Sequence, residues 1–309
     1  MKSFSYKISV IGAGAVGATL AQRIFESGLA DVVLLDILKN VARGKALDLL
    51  DAAPITLTEK TITGTDDYND IQGSDIVVIT AGLPRKPGMT REDLIAKNAA
   101  IVGGVSEKIK IHAPESIVIV VTNPLDTMTY LCHKTTGFPR SRVVGMAGAL
   151  DGSRFTVLIA EELKVRRELV KTYVMGSHGD TMVPVISQTF VGGKPLASVM
   201  ARDRIESIVK RTCDRGAEII SLLGTGSAYY SPSAAVLKMI RAIMDDVGDV
   251  VTASFYLNGE YGLKDICMGV PCRFDTRGVI EAVELDLSND EKELFSKSAK
   301  AVKSSIELL

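Results

Sequence analysis

Short runs rich in β-branched residues and free of charge recur through the first half of the chain, at residues 8–11, 32–35, 61–63, 76–80, 117–121 and 143–146. A run that does not alternate reads as a strand covered on both faces. Between these runs, apolar residues return at helical spacing over 15–28, 41–52, 91–112 and 125–136. Pro54 closes the second of these stretches, and Pro114 and Pro124 punctuate either side of the fifth strand, because proline has no N–H to donate. Strand–helix alternation of this kind predicts a doubly wound α/β unit with a parallel sheet.

The second half has a different texture. Helical patterns at 150–163, 202–222, 231–244 and 289–307 enclose polar-interrupted β segments at 169–176, 184–192, 248–258 and 266–275. Ser288 and Glu291 form a capping-box signal at the start of the last helix. Strands and helices that no longer alternate strictly predict an α+β domain with antiparallel sheet. The boundary falls near residue 145, giving domains 1–145 and 146–309. No Ser/Pro-rich linker separates them, which implies a tight interface.

A formal net charge of −1 offers no basic field for nucleic acid or anionic lipid. The uncharged stretch 8–21 imitates the apolar core of a signal peptide, but its glycines suit a strand–turn–helix better. No other apolar run approaches the roughly eighteen residues that a membrane span needs. Four cysteines without a C-x-x-C pair, and histidines without ligand spacing, read as free, mostly buried thiols in a cytoplasmic protein with no metal. Small molecules and copies of the chain itself remain as partners.

Gly12-Ala13-Gly14-Ala15-Val16-Gly17 follows the first strand and opens a helix. The first glycine permits a tight turn, the second lets backbone approach a pyrophosphate, and the third lets helix pack on strand. The helix N-terminus then presents free N–H groups to phosphate. Asp36 ends the second strand, nineteen residues past Gly17, near the distance at which an acid reaches the adenosine ribose. A carboxylate there accepts from both ribose hydroxyls and repels a 2′-phosphate, which predicts NAD over NADP.

Three further segments carry candidate chemistry. Arg85 and Arg91 lie in a loop with two prolines and two glycines after the fourth strand, at the edge where such sheets bind ligands. A solvated basic loop is the plain alternative. Asn123 precedes Pro124 at the end of the fifth strand, and Asp151 and Arg154 share a helix face at i, i+3 spacing. His178 stands in Gly176-Ser177-His178-Gly179-Asp180, where flanking small residues leave a substrate close access to an imidazole that titrates near neutrality. Taken alone, it is equally a histidine in a polar turn.

With these motifs in this order, the chain resembles the lactate/malate dehydrogenase superfamily nearly end to end, and more narrowly its malate dehydrogenases of lactate-dehydrogenase-like type. The resemblance implies an N-terminal Rossmann sheet and a C-terminal α+β substrate domain. His178 takes the place of the proton carrier, Asp151 its partner carboxylate, and Arg154 the arginine that grips the C1 carboxylate. Arg91 matches the loop arginine that polarises the reacting carbonyl, and Asn123 the asparagine between substrate and nicotinamide. Asn98, Val121 and Thr122 match cofactor-side positions. Arg85 falls where lactate dehydrogenases typically carry glutamine. An arginine there meets the second carboxylate of a small dicarboxylic 2-hydroxy or 2-oxo acid, and enclosing it without a partner would discriminate against pyruvate by about a thousandfold.

The implied reaction is reversible hydride transfer between L-malate and oxaloacetate with NAD, in a homo-oligomer, with a tetramer favoured over a dimer. The apolar stretch 42–50 would face a partner or the core equally well. Lactate dehydrogenase and a non-catalytic NAD-binding protein are the alternatives. Two positions depart from the family pattern: Gly152-Ser153 replaces a small Ser/Thr-Ala pair, and Ser177 replaces a common glycine before the histidine. Gly226 leaves room for a longer acid where lactate enzymes carry a larger residue. Cys267 and Cys272 have no counterpart in the functional set.

Overall fold

The computed structural model describes residues 6–84, 88–245 and 248–309. Its first half runs β1 (Lys7–Ile11), α1 (Ala15–Glu26), β2 (Asp31–Leu35), α2 (Lys39–Thr56), β3 (Ile62–Thr65), β4 (Ile76–Ile79), α3 (Arg91–His112), β5 (Ile117–Val120), α4 (Leu125–Thr136) and β6 (Val143–Gly145). These six strands pair in parallel, in the order β3-β2-β1-β4-β5-β6. Every residue of β4 and β5 is buried, as an uninterrupted apolar run requires. Burying each such side chain stabilises by about 1.5–3 kcal/mol. The 8–21 stretch is β1, a tight turn and most of α1.

The second half begins with α5 (Gly148–Leu163) and four two-residue strands, β7 (Val170–Lys171), β8 (Val174–Met175), β9 (Val183–Pro184) and β10 (Phe190–Val191). It continues with β11 (Lys194–Pro195), α6 (Leu196–Val199), α7 (Arg202–Leu223), α8 (Tyr230–Met244), β12 (Val250–Asn258), β13 (Lys264–Asp275), β14 (Gly278–Ala282) and α9 (Asn289–Ile306). The antiparallel strands do not all build a sheet of their own. β12 pairs antiparallel with β6, Ser254 opposite Gly145 and Phe255 opposite Val144, so β12-β13-β14 extends the parallel sheet to nine strands. Beside it stand a three-stranded sheet, β11-β10-β7, and the β8–β9 hairpin. One core holds Val10 and Ile119 from the first half with Ala253, Val270 and Phe295 from the second.

Pro54 does not end the second helix. α2 continues to Thr56, and Leu57 then turns left-handed at φ 57°. Proline disrupts a helix interior by removing a hydrogen bond and crowding the previous turn, but here only two helical residues follow it. Ala42 and Ala46 are the buried residues of α2, while Leu47 and Leu50 face outward. The four cysteines are free, and Cys132, Cys267 and Cys272 are buried. Among the described residues, no helix is long and apolar enough to cross a membrane, and no cluster of side chains is placed to hold a metal ion.

Candidate active site

The glycine-rich turn sits where β1 hands over to α1. Gly12 adopts φ +107°, and a side chain on Gly17 would place its Cβ 1.9 Å from the Gly12 carbonyl oxygen. Neither position admits another residue without moving backbone. A Cβ at Gly14 would meet only open space, so the approach above the α1 N-terminus is free, and no side chain caps that end. Asp36 Oδ2 accepts from Ala13 N at 2.6 Å and Oδ1 from Leu38 N at 2.9 Å, while Lys45 Nζ donates to Ala13 O at 2.6 Å. The carboxylate thus fixes the turn and still has lone pairs for two ribose hydroxyls.

His178 lies at the tip of the β8–β9 hairpin. Its Nδ1 is 2.8 Å from Asp151 Oδ2, and Asp151 Oδ1 accepts from Arg154 Nη1 at 3.3 Å. Asp151 sits in the first turn of α5, and the i, i+3 spacing brings Arg154 onto the same face. With Nδ1 donating to the carboxylate, Nε2 is the nitrogen left for substrate. Burial works against the charged ring. The charge and hydrogen bond of Asp151, together with the charge of Asp126, outweigh it and hold His178 above the ordinary histidine range. Burial lowers Arg154 from its usual value, with Arg215 adding to this and Asp151 opposing it. A guanidinium stays charged nonetheless.

Two cavities meet at Asn123, His178, Gly179 and Asp180. One, of about 380 Å³, contains Arg154 and extends to Val16 and Val121, so the glycine-rich turn opens onto the histidine. The other, of about 320 Å³, contains Arg91. Thr90 caps α3 in a capping box with Asp93, which makes Arg91 its first helical residue, exposed at the rim. Arg85 lies outside the described residues. Ser227 and Ala228 line the larger cavity, whereas Gly226 beside them is exposed at φ +80°.

Asn98, for which the resemblance implies a cofactor-side position, bonds backbone on both sides of the crevice. It is buried, its Oδ1 accepts from Leu83 N at 2.8 Å, and its Nδ2 donates to Leu83 O at 3.1 Å and Asn123 O at 2.6 Å. Both amide protons are spent on backbone, so Asn98 ties the loop after β4 to the end of β5. Thr122 adds a second tie, its hydroxyl donating to Ala81 O at 2.6 Å.

Sequence reasoning missed Asp126. It is buried in the first turn of α4, accepting from His178 N at 2.8 Å and from the Ser254 hydroxyl at 2.7 Å. It therefore links α4, the histidine turn and β12. Burial pushes its carboxyl up to about 6, against the opposing effect of those two donors. Two signals were present in the chain: an acid directly after Asn123-Pro124-Leu125 at the start of α4, and a serine between Ala253 and Phe255 in β12.

The family model for the lactate/malate dehydrogenase NAD binding domain matches residues 6–145, and that for the alpha/beta C-terminal domain matches residues 148–309. The chain belongs to the lactate/malate dehydrogenase family. Within this family it is 53% identical to a malate dehydrogenase of Staphylococcus carnosus over 290 residues, 93% of each chain. A crystal structure of Cryptosporidium parvum malate dehydrogenase superposes with a TM-score of 0.95 at 40% identity, covering 98% of both chains. A lactate dehydrogenase from the same organism, complexed with lactic acid and β-nicotinamide adenine dinucleotide, gives 0.96 at 40% identity over 99% of this chain and 98% of that one. The family's cofactor, NAD, fits what the turn provides: an open approach at Gly14, an uncapped helix N-terminus and a carboxylate at Asp36.

Proposed function

We propose that the chain is an NAD-dependent malate dehydrogenase interconverting L-malate and oxaloacetate. The observation that carries this reading is the bonded set Asp151–His178 and Asp151–Arg154, beside Asn123 in a cavity that reaches the cofactor turn. Bound NAD supplies the hydride acceptor. On oxidation, the hydride leaves C2 of malate as His178 Nε2 takes the hydroxyl proton and C2–O becomes a carbonyl. The reverse step returns both. Asp151 orients the ring and stabilises its charged form. Arg154 holds the C1 carboxylate with two parallel hydrogen bonds, which lysine cannot supply. Arg91, at the rim, closes on the reacting oxygen, and Arg85 meets the C4 carboxylate. Asn123 lies between substrate and cofactor.

Residues 1–145 form the NAD-binding unit in this reading and 146–309 the substrate unit, with α5 delivering Asp151 and Arg154 across the join. We also place the protein in the cytoplasm, in the tricarboxylic acid cycle, as a homotetramer. The outward Leu47 and Leu50 of α2, with Ile55 and Leu57 beyond them, support self-association. Mixing the protein with NADH and oxaloacetate and following NADH absorbance tests the activity. Steady consumption is expected, and no consumption overturns it.

A further inference from the structure

The hairpin that carries His178 is too slight to hold it. β8 and β9 pair at only two positions, Val174 with Pro184 and Met175 with Val183, and a two-stranded hairpin is marginal in water by itself. Its tip needs anchors from elsewhere. One is a backbone bridge, with Gly176 and Gly269 exchanging N–H···O bonds of 2.9 Å. Others come from α9, where an apolar face would be expected. Glu291, Ser298 and Ser305 are buried there at seven-residue spacing, a polar seam down one side of the helix.

Each member of the seam bonds a different piece of the site's surroundings. Glu291 accepts from Ser187 N at 3.0 Å and from its hydroxyl at 2.6 Å, just beyond β9. Ser298, fully buried, accepts from Ser177 N at 2.8 Å and lies 3.3 Å from Thr181 Oγ1. Ser177 Oγ and Thr181 Oγ1 are 2.7 Å apart across the neck of the turn, so three hydroxyls clasp the residues on both sides of His178. Ser305 accepts from the Thr127 hydroxyl at 2.8 Å, next to the Asp126 that holds His178 N. The seam thus grips both ends of the Asp126–His178 bond. Ser177, a departure from the family's common glycine, adds a hydroxyl link to Thr181 that glycine would lack.

We propose that α9 is a positioning element for the reaction, with the Ser298–Ser177–Thr181 clasp fixing the histidine turn against Asp126 and Asp151. This rests on the malate dehydrogenase reading given above. A hydroxyl whose only task is stability would lower the melting temperature and leave turnover of the folded enzyme alone. A positioning hydroxyl slows the proton-coupled hydride step itself, because a small displacement of the catalytic group is costly.

The test uses the full-length enzyme, with steady-state oxaloacetate reduction by NADH and by NADH deuterated at the transferred position. Ser298→Ala should lower kcat by about tenfold, since it leaves the half-buried Ser177 N–H without its acceptor. It should raise the isotope effect on kcat and leave NADH affinity unchanged. Ser177→Gly, which keeps the backbone bond and loses only the hydroxyl link, should lower kcat by about two- to fivefold with the same rise in isotope effect. Phe295→Leu, an apolar change on the same helix, should lower the melting temperature without altering either. If Ser298→Ala does not fold, Ser177→Gly and Ser305→Ala carry the test. A parent enzyme that turns over oxaloacetate, with variants at parental kcat and isotope effect, overturns the proposal alone. A parent that reduces neither oxaloacetate nor pyruvate overturns the functional reading and the proposal with it.

Discussion

Arg154→Lys is the substitution whose cost follows most directly from the geometry. Arg154 is largely buried in the larger cavity, with Nη1 on Asp151 at 3.3 Å and a buried Nε that has no partner among the described residues. An unpaired buried donor is unfavourable by about 1–3 kcal/mol. A substrate carboxylate bonded to Nε and an Nη relieves it, and this makes carboxylate binding strong. Lysine keeps the charge but offers a point donor, so one charge-assisted hydrogen bond is lost, about 1.5–3 kcal/mol. The corresponding fall in kcat/KM for oxaloacetate is roughly 10- to 150-fold. It should appear chiefly in KM, since the carboxylate is held in ground and transition states alike. Initial rates at saturating NADH over a range of oxaloacetate measure it, with NADH affinity from fluorescence titration as the control. A KM within about twofold of the parent would refute the assignment of Arg154 to the C1 carboxylate.

Further outcomes follow from the same site. His178→Asn should abolish turnover while NADH binds as in the parent, and near-parental rates would remove His178 as the proton carrier. The charged ring of His178 is held above its ordinary range, so the form that donates a proton to oxaloacetate is present at low pH and lost as pH rises through that raised value. In Asp151→Asn the strongest support for that charge is gone, and the limb of the kcat/KM profile should move to lower pH; an unmoved limb counts against the pair. Gly152→Ala should stabilise the fold by about 0.5–1 kcal/mol with activity retained, because alanine is the better helix former. The added Cβ would meet only Thr172 Oγ1, at 3.7 Å. A lower midpoint in denaturant would show that the position has no room.

The parallel sheet was legible because its inner strands β4 and β5 are buried on both faces and leave unbroken apolar runs, while the edge strand β3 shows only Ile62 between threonines. The helical stretch read at 91–112 coincides with α3, and Pro114 follows its end closely; the Thr90–Asp93 capping box that sets its start emerged only from the structure. The junction of the sheet was not legible. β6 meets β12 through two residue pairs more than a hundred positions apart, and no local pattern encodes that pairing. β7 to β11 are two residues each, too short for any period to show. β14 escaped notice because Ile280 and Glu281 are exposed at the sheet edge, which leaves little apolar signal. Within the site, His178, Asp151 and Arg154 were readable from spacing and motif, and the structure brings them into contact. Asn98 was readable as important, but the backbone partners that occupy its amide were not. Asp126 and Ser298 act through hydrogen bonds to residues 52 and 121 positions away in sequence, and their roles exist only once the chain is folded.

The central claim is that this site selects a four-carbon diacid, and the ratio of kcat/KM for oxaloacetate to that for pyruvate tests it most directly. The account expects oxaloacetate to be favoured by about a thousandfold in the parent, with the ratio collapsing in Arg85→Gln. A parent enzyme that reduces pyruvate as well as oxaloacetate, or an Arg85→Gln variant with an unchanged ratio, would contradict it.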